Sequence, residues 1–590
     1  MTKTRLYAAL SLALLVAPVS QAAKYRVVEL PVADKGQSSF PSAINEDGNI
    51  TVIVGAPSTS TTRLSTAYNI PIDLDLLDFE SETLINGLTD VESASNGDFN
   101  STDYEFLLAL IRASDGAQSA QQIANTIGFL ASENETNYIP GFDQRSTPNN
   151  EFSISTNIIL RDVNGSDFTV GSGEGFYNKV DYTFESGEDV TFVVHEFGTR
   201  GFVSLGGDTV VGLPAPETMA GGFSDAFGIN ESNQVVGYGT TLFLSDTLET
   251  AITNCEDEEI IDDGDSGTVD FPLRGDIPVE SCISSVVSTL TNAVTTYAQL
   301  RGLIWQLDGQ GNLLDTKVLG LLFEPEADDT ANYSSQALAI NDNGIAVGIS
   351  NGQYTENDVT VTRNFGVIFD EDEVISLTPD PDSAVARSSN TISSAADINN
   401  NNLVVGYQVK AVNGSNRTKF FVYDMNLSEI TFPDDFFLGS SSVALDINNN
   451  DLVVGYGEVD ASLTGRRTEG FLYDHEAEQF YGARDLISCD SPYTIVQANS
   501  INDKNEIAAT ALYKGPQRDS RGEVIIDSTG NETIVDLVVA VKLEPITGGE
   551  VENCDAPADE INRARQGASV SWMLAFGFVL LGWRRFKSLF

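Results

Sequence analysis

The sequence predicts an all-β, β-propeller-like repeat architecture of about seven blades, with helical insertions and a C-terminal transmembrane helix. Three observations carry that expectation. One phrase recurs: AFGINESNQVVGYG around Asn230, ALAINDNGIAVGIS around Asn341, AADINNNNLVVGYQ around Asn399 and ALDINNNDLVVGYGE around Asn448. An aromatic segment recurs between the phrases. A short apolar run beside basic residues lies near each end of the chain.

Each phrase is an apolar residue, an Asn, a polar turn, two or three aliphatics and a Gly. Asn and the Asp, Asn or Gly after it tolerate positive φ and bond their own backbone, so they start a turn. The aliphatics (Val235 and Val236, Leu403 to Val405, Leu452 to Val454) favour a buried strand. Gly237, Gly348, Gly406 and Gly455 close the phrases, each where a second backbone would come close. Weaker copies sit at Asn45, Asn164 and Asn502, so the seven copies suggest seven blades. The last three Asn-to-Asn steps, 58, 49 and 54 residues, fit a four-stranded blade.

The aromatic segments RGLIWQLD (from Arg301), NFGVIFD (from Asn364), KFFVYD (from Lys419) and EGFLYD (from Glu469) add a second strand per period, with RGFVSL from Arg200 as a fragment. A propeller must close. The runs YRVVELP (Tyr25 to Pro31) and TIVDLVVAVKLEP (Thr533 to Pro545) are expected to share a blade. A tandem of open β-sandwiches is the rival architecture.

The paired elements resemble the HAF-type extracellular repeat, in which an aromatic strand precedes an A-x-x-IN-x-x-G-x-VVG phrase. Here the first half reads RGF, RGL or EGF; the second half is close. The layout resembles a family of secreted proteins of unknown function from marine Gram-negative bacteria. That resemblance implies a propeller-like body and brings no catalytic residues with it.

Residues 1–22 read as a signal peptide: Lys3 and Arg5, an apolar stretch from Ala8 to Val16, and Ser20-Gln21-Ala22 as a cleavage site. The repeat domain is expected over 23–548, with helical insertions near 75–135 and 245–300 and a linker over 549–568. Residues 569–585 read as a C-terminal anchor or sorting helix, and 586–590 as a cytoplasmic tail. Gly567-Ala568-Ser569, the short apolar helix and Arg584, Arg585 and Lys587 resemble GlyGly-CTERM and PEP-CTERM sorting signals, although the double Gly is missing. The expected location is the cell envelope or surface. The chain there is either membrane-anchored through this helix or released by processing.

Asp and Glu number 86 against 32 Lys and Arg, a net charge of −54. Such a surface repels nucleic acid, which is excluded as a partner. Four Cys in an exported chain favour disulfides. Of three possible pairings, Cys255 with Cys282 and Cys489 with Cys554 are favoured, the first stapling an insertion and the second tying the last blade to the closing segment.

Within the first insertion, TDYEFLLALIRA and QSAQQIANTIGFLASE read as two helices, with Phe106, Leu107, Leu110 and Ile111 on one stripe. In the second, Ser281 to Leu300 reads as helix. Before it, Asp262, Asp263 and Asp265 form a weak Ca²⁺ candidate without EF-hand spacing. Insertions sit on loop faces, where binding sites concentrate, although they could equally be packing caps.

His195 and His475 are the only histidines and have no motif companions; both are expected to be packing or surface residues. GSGEG at Gly171 lacks a following helix or Lys and is not expected to hold phosphate. No residue is singled out as catalytic.

The favoured function is a binding or scaffold module for polysaccharide, another envelope protein or matrix, with no polar cluster at the disc centre. The alternatives are a hydrolase, carbohydrate-active or other, with carboxylates in the central channel, and a purely structural envelope protein.

Overall fold

In the computed structural model, residues 24–55, 67–114, 117–146, 150–256, 274–326, 329, 331–356, 359–371, 373–378, 392–460 and 466–554 are described. The expected signal peptide, the expected C-terminal helix and tail, most of the expected linker, and Asp262, Asp263 and Asp265 lie outside them. The chain divides into two units. Val27–Gly482 with Pro492–Glu544 form one; Met1–Arg26, Ala483–Ser491 and Pro545–Phe590 form the other.

The larger unit is a seven-bladed β-propeller of four-stranded antiparallel sheets. Blade 1 comprises Ser39–Ile44, Ile50–Gly55, Thr126–Ala131 and Thr136–Ile139, and blade 2 Ile158–Val163, Thr169–Glu174, Thr199–Ser204 and Val210–Leu213. Blade 3 comprises Ser224–Ile229, Gln234–Phe243, Ala298–Leu307 and Leu313–Val318, and blade 4 Ser335–Ile340, Ala346–Glu356, Val359–Asp370 and Glu373–Ser376. Blade 5 comprises Ser393–Ile398, Leu403–Val412, Ser415–Asp424 and Glu429–Thr431, and blade 6 Ser442–Ile447, Leu452–Glu458, Thr468–Asp474 and Gln479–Gly482. Blade 7 takes Thr494–Ile501, Ile507–Pro516 and Ile534–Pro545 from the end of the chain and Tyr25–Glu29 from its start. The two runs expected to meet do so, and the ring is closed by strand pairing.

First strands of neighbouring blades touch one another all the way round, so they line the axis. Between blades the packing is apolar. Val170 and Val203 of blade 2 meet Ala226, Ile229, Leu303 and the fully buried Trp305 of blade 3. Burying each such large side chain contributes roughly 1.5–3 kcal/mol.

The recurrent phrase is the turn from first to second strand. All seven copies fold alike. The residue three beyond each Asn (Gly48, Asp167, Asn233, Gly344, Asn402, Asp451, Asn505) has positive φ, which is why only Gly, Asn and Asp occur there. Each Asn Oδ1 accepts from the backbone N–H groups two and four residues on, as Asn450 and Leu452 donate to Asn448 at 3.1 and 3.0 Å. A bulge precedes most of the turns, for example between Ala444 and Asp446. The closing Gly then faces the first strand's carbonyl: a Cβ on Gly237, Gly348, Gly406 or Gly455 would lie 2.0 to 2.1 Å from it.

Three expectations need correction. The second helix of the first insertion does not form. Residues 126–131 are instead the third strand of blade 1, buried at all six positions, and a segment covered on both faces has no period to tell helix from strand. The helical part of that insertion is α1 (Glu82–Gly87), α2 (Val91–Ser95) and α3 (Ser101–Ala113). In blade 3 the insertion holds α4 (Thr247–Glu256), α5 (Val279–Asn292) and α6 (Val294–Tyr297), after which Ala298 already begins a strand. Two interruptions were not anticipated: a hairpin, Asn178–Thr183 with Asp189–Val194, inside blade 2, and residues 517–533 inside blade 7. Among the described residues no helix is long and apolar enough to cross a membrane.

In the smaller unit, α7 (Ala483–Leu486) is joined to residues 552–554 by hydrogen bonds from Glu552 N to Asp485 O and from Cys554 N to Asp485 Oδ1, at 2.8 and 3.1 Å. The disulfide Cys489–Cys554 fixes the same contact. Cys255–Cys282 joins α4 to α5 in the larger unit. Both favoured pairings are present.

Candidate functional site

Alternating strand directions give the propeller two unlike faces. First-to-second and third-to-fourth turns lie on one, here the turn face. Second-to-third connections and blade-to-blade crossings lie on the other.

On the turn face the seven Asn side chains form a closed relay. Asn45 Nδ2 donates to the carbonyl of Asn164, Asn164 to Asn230, Asn230 to Asn341, Asn341 to Asn399, Asn399 to Asn448, Asn448 to Asn502 and Asn502 back to Asn45. The distances run from 2.8 to 3.4 Å, and every Asn is 3–4% exposed. A second, exposed set of links runs outside it, from the N–H after one Asn to the side chain after the next, as Asp342 Oδ1 takes Glu231 N at 2.9 Å. Gly165, with no side chain, leaves one such link unmade.

Deeper in the channel, first strands present unpaired edge N–H groups, which need partners. Asp162 Oδ2 accepts from Ile229 N at 2.9 Å, Asp446 Oδ2 from Ile501 N at 2.8 Å and Ser500 Oγ from Ile44 N at 3.2 Å, each across a blade boundary. Asp397 Oδ2 and Asp446 Oδ1 both accept from Ile447 N, at 3.0 and 2.7 Å. The disc centre therefore does carry a polar cluster, contrary to expectation.

These carboxyls are half-buried, and protein surrounds them. Burial pushes Asp162 up to about 7, helped by the charges of Asp446 and Glu231 and opposed by its two backbone hydrogen bonds. Burial, then the charge of Asp446 and a hydrogen bond with it, holds Asp397 well above the usual carboxylate range. The carboxyls' lone pairs go to backbone N–H groups, which is a structural duty.

A third inter-blade link was missed in the sequence. The Ser six residues before the Asn in five blades accepts an N–H from the third strand of the preceding blade. Ser224, Ser335, Ser393 and Ser442 take Gly201, Gly302, Gly366 and Phe420 at 2.8 to 3.3 Å, and Ser39 takes Ala540. The S-x-A-x-x-I-N spacing could have revealed it.

The opposite face is irregular. Blades 7, 1, 2 and 3 each carry an insertion there, and the four interlock. Arg521 Nη2 donates to Phe99 O at 2.7 Å and Asn69 N to Ser520 O at 2.8 Å, joining blades 7 and 1. Lys179 Nζ reaches Asp73 and Asp75 at 2.7 and 3.1 Å, joining 1 and 2. Asp276 accepts from Tyr182 Oη and Glu185 N, both at 2.8 Å, joining 2 and 3. Gln118 exchanges hydrogen bonds with Ser281 at 3.0 and 2.6 Å, joining 1 and 3.

His195 packs in this cap. Its Nδ1 lies 3.3 Å from Ser284 Oγ, and burial lowers its pKa. His475 Nδ1 is buried with no hydrogen-bond partner among the described residues. Neither histidine meets a nucleophile–acid arrangement. Gly171 of GSGEG takes the same close-approach role as the repeat glycines: a Cβ there would lie 2.1 Å from Ile159 O. Among the described residues the one group with metal-ligand spacing is Cys489, Glu552 and Cys554, whose sulfurs are bonded to each other.

A cavity of about 230 Å³ lies on blade 7. Its floor is Leu30, Val32 and Ala540, all buried, and its walls include Tyr68 and Tyr513. Glu29, Gln37 and Arg518 supply the polar groups, and Glu29 and Gln37 are exposed at the opening. Tyr513 stacks on Tyr493 at 5.0 Å, and Tyr493 Oη donates to Glu29 Oε1.

No curated protein matches this chain. Among solved structures, a protein of unknown function from Dyadobacter fermentans DSM 18053 aligns at 12% identity with a TM-score of 0.30, covering 66% of this chain and 98% of its own. A family described as "Protein of unknown function (DUF3466)" matches residues 4–586, so the chain belongs to that family.

Proposed function

We propose that this protein is exported and works in the cell envelope as a binding or scaffold module, with the insertion face as its recognition surface. One observation carries the reading: the turn face is built from seven equivalent words, whereas the other face holds four unlike, interlocked insertions and the blade 7 cavity. Recognition surfaces are built from variable loops held by a rigid frame. Two disulfides suit an oxidising compartment. The signal peptide at 1–22, the anchor or sorting helix at 569–585 and the HAF-like repeats belong to the same reading. Polysaccharide or another envelope protein is the partner class, and nucleic acid is not.

A hydrolase would need two carboxylates set around a substrate about 5 to 9 Å apart. Carboxyls do stand in the channel as that alternative expects, but Asp397 and Asp446 both accept from Ile447 N and cap the backbone rather than flanking a substrate.

Cell fractionation with intact-mass measurement tests the proposal. The expected result is a mature chain starting near residue 23, found in the envelope fraction and co-sedimenting with purified envelope material. A full-length chain in the cytosol would overturn it.

A further inference from the structure

Resting on that binding reading, we infer that the blade 7 cavity takes one residue of an uncharged glycan. At about 230 Å³, it has room for roughly seven or eight waters, at about 30 Å³ of liquid volume each. A pyranose ring fits within that volume.

The lining has the makeup of a sugar site. A buried apolar floor at Leu30 and Ala540 suits the C–H face of a pyranose, and Tyr68 and Tyr513 wall it with aromatic carbon. The polar groups, Glu29, Gln37 and Arg518, all end in planar forks. Carboxylate, amide and guanidinium each present two coplanar atoms, which match a pair of vicinal hydroxyls. Tyr493 donates to Glu29 and Arg518 Nη1 donates to Gly522 O at 2.7 Å, so two of the forks are held in place before any ligand arrives.

Charge selects within the class. Glu29 and Arg518 offset each other locally, so the cavity offers no surplus cation. The chain's net charge of −54 repels polyanions. Uronate and sulfated glycans are therefore disfavoured, and neutral ones fit.

The test is calorimetric titration of the purified full-length chain with oligosaccharide panels, one neutral and one uronate-containing. Ala33 lines the cavity from an exposed loop, so Ala33→Trp fills it without touching the core. Neutral oligosaccharides should bind, Ala33→Trp should abolish binding, and Gln37→Ala should weaken it at least tenfold. Circular dichroism and melting of both variants should match the parent.

Binding that survives Ala33→Trp, preference for uronates, or no glycan binding at all would overturn the inference. Co-sedimentation with envelope material separates the two readings. If it persists in Ala33→Trp, the binding module stands without this ligand; if the parent itself does not sediment, the module falls too.

Discussion

The two faces of this propeller are built by opposite rules. On the turn face one local solution is repeated seven times, and each copy hands a hydrogen bond to the next until the ring closes. On the insertion face four connections are long and unlike one another, and they lean on each other rather than on the repeat. The difference separates what closes the ring from what is free to vary. A change on the turn face meets neighbours on both sides. On the insertion face it meets only the cap.

What the repeated phrase demands, as against a turn outside it, is sharpest at glycines. Gly455→Ala sets a Cβ 2.0 Å from the Val443 carbonyl, an approach no side chain can make. Forcing the strands apart should cost about 4 kcal/mol, at the severe end for single substitutions. Gly309 lies in a third-to-fourth-strand turn with nothing within 4 Å, and Gly309→Ala should stay within about 0.5 kcal/mol. Chemical denaturation of both variants checks the pair. Equal losses would mean the repeat glycines are not held by backbone approach.

The cap should unfold on its own terms. Cys255→Ser with Cys282→Ser removes a link spanning 27 residues, with a loss of roughly 2–4 kcal/mol. The loss should be local. Hydrogen exchange should rise in α4 and α5 and leave the first strands of blades 4 to 6 protected. Exchange spreading evenly through the ring would show that the cap and ring form one cooperative unit.

Asn448→Asp tests the relay. An aspartate keeps the acceptor for Asn450 and Leu452 but cannot donate to Asn502 O, now 2.8 Å away. It also buries a charge at a site 4% exposed. The expected loss is about 2–3 kcal/mol, larger than for Gln118→Ala in the cap, which should cost about 1 kcal/mol.

The same contrast explains what could be read in advance. Asn230, Asn341, Asn399 and Asn448 with their glycines were legible because one turn needs the same residue types wherever it recurs. Blade count, ring closure and both disulfides followed. The partner of each Asn was not legible, because it lies 49 to 119 residues away along the chain, and 457 residues away at closure. Thr126–Ala131 was misread as helix because a strand buried on both faces shows no alternation. The blade 2 hairpin was missed because it carries no copy of the phrase. The cavity draws its lining from residues 29–39, 68 and 513–540, which no local pattern joins.

A pH-dependent effect lies between the faces, in the channel. Asp162 has its pKa raised to about 7 in the folded protein, against roughly 3.9 when unfolded. Between those values the folded state binds more protons than the unfolded state, so stability falls as pH rises through the window. Below about pH 4 the group costs nothing, and above about pH 7 the full cost of holding a buried charge is present. The partial exposure of Asp162 lets solvent screen part of it, leaving on the order of 1–2 kcal/mol. Asp162→Asn keeps an acceptor for Ile229 N and removes the titration. Its melting temperature should therefore exceed the parent's most at pH 8, and the gap should close as pH falls toward 4. A gap that does not change with pH would mean Asp162 stays ionised in the folded ring, held by its N–H donors despite the burial.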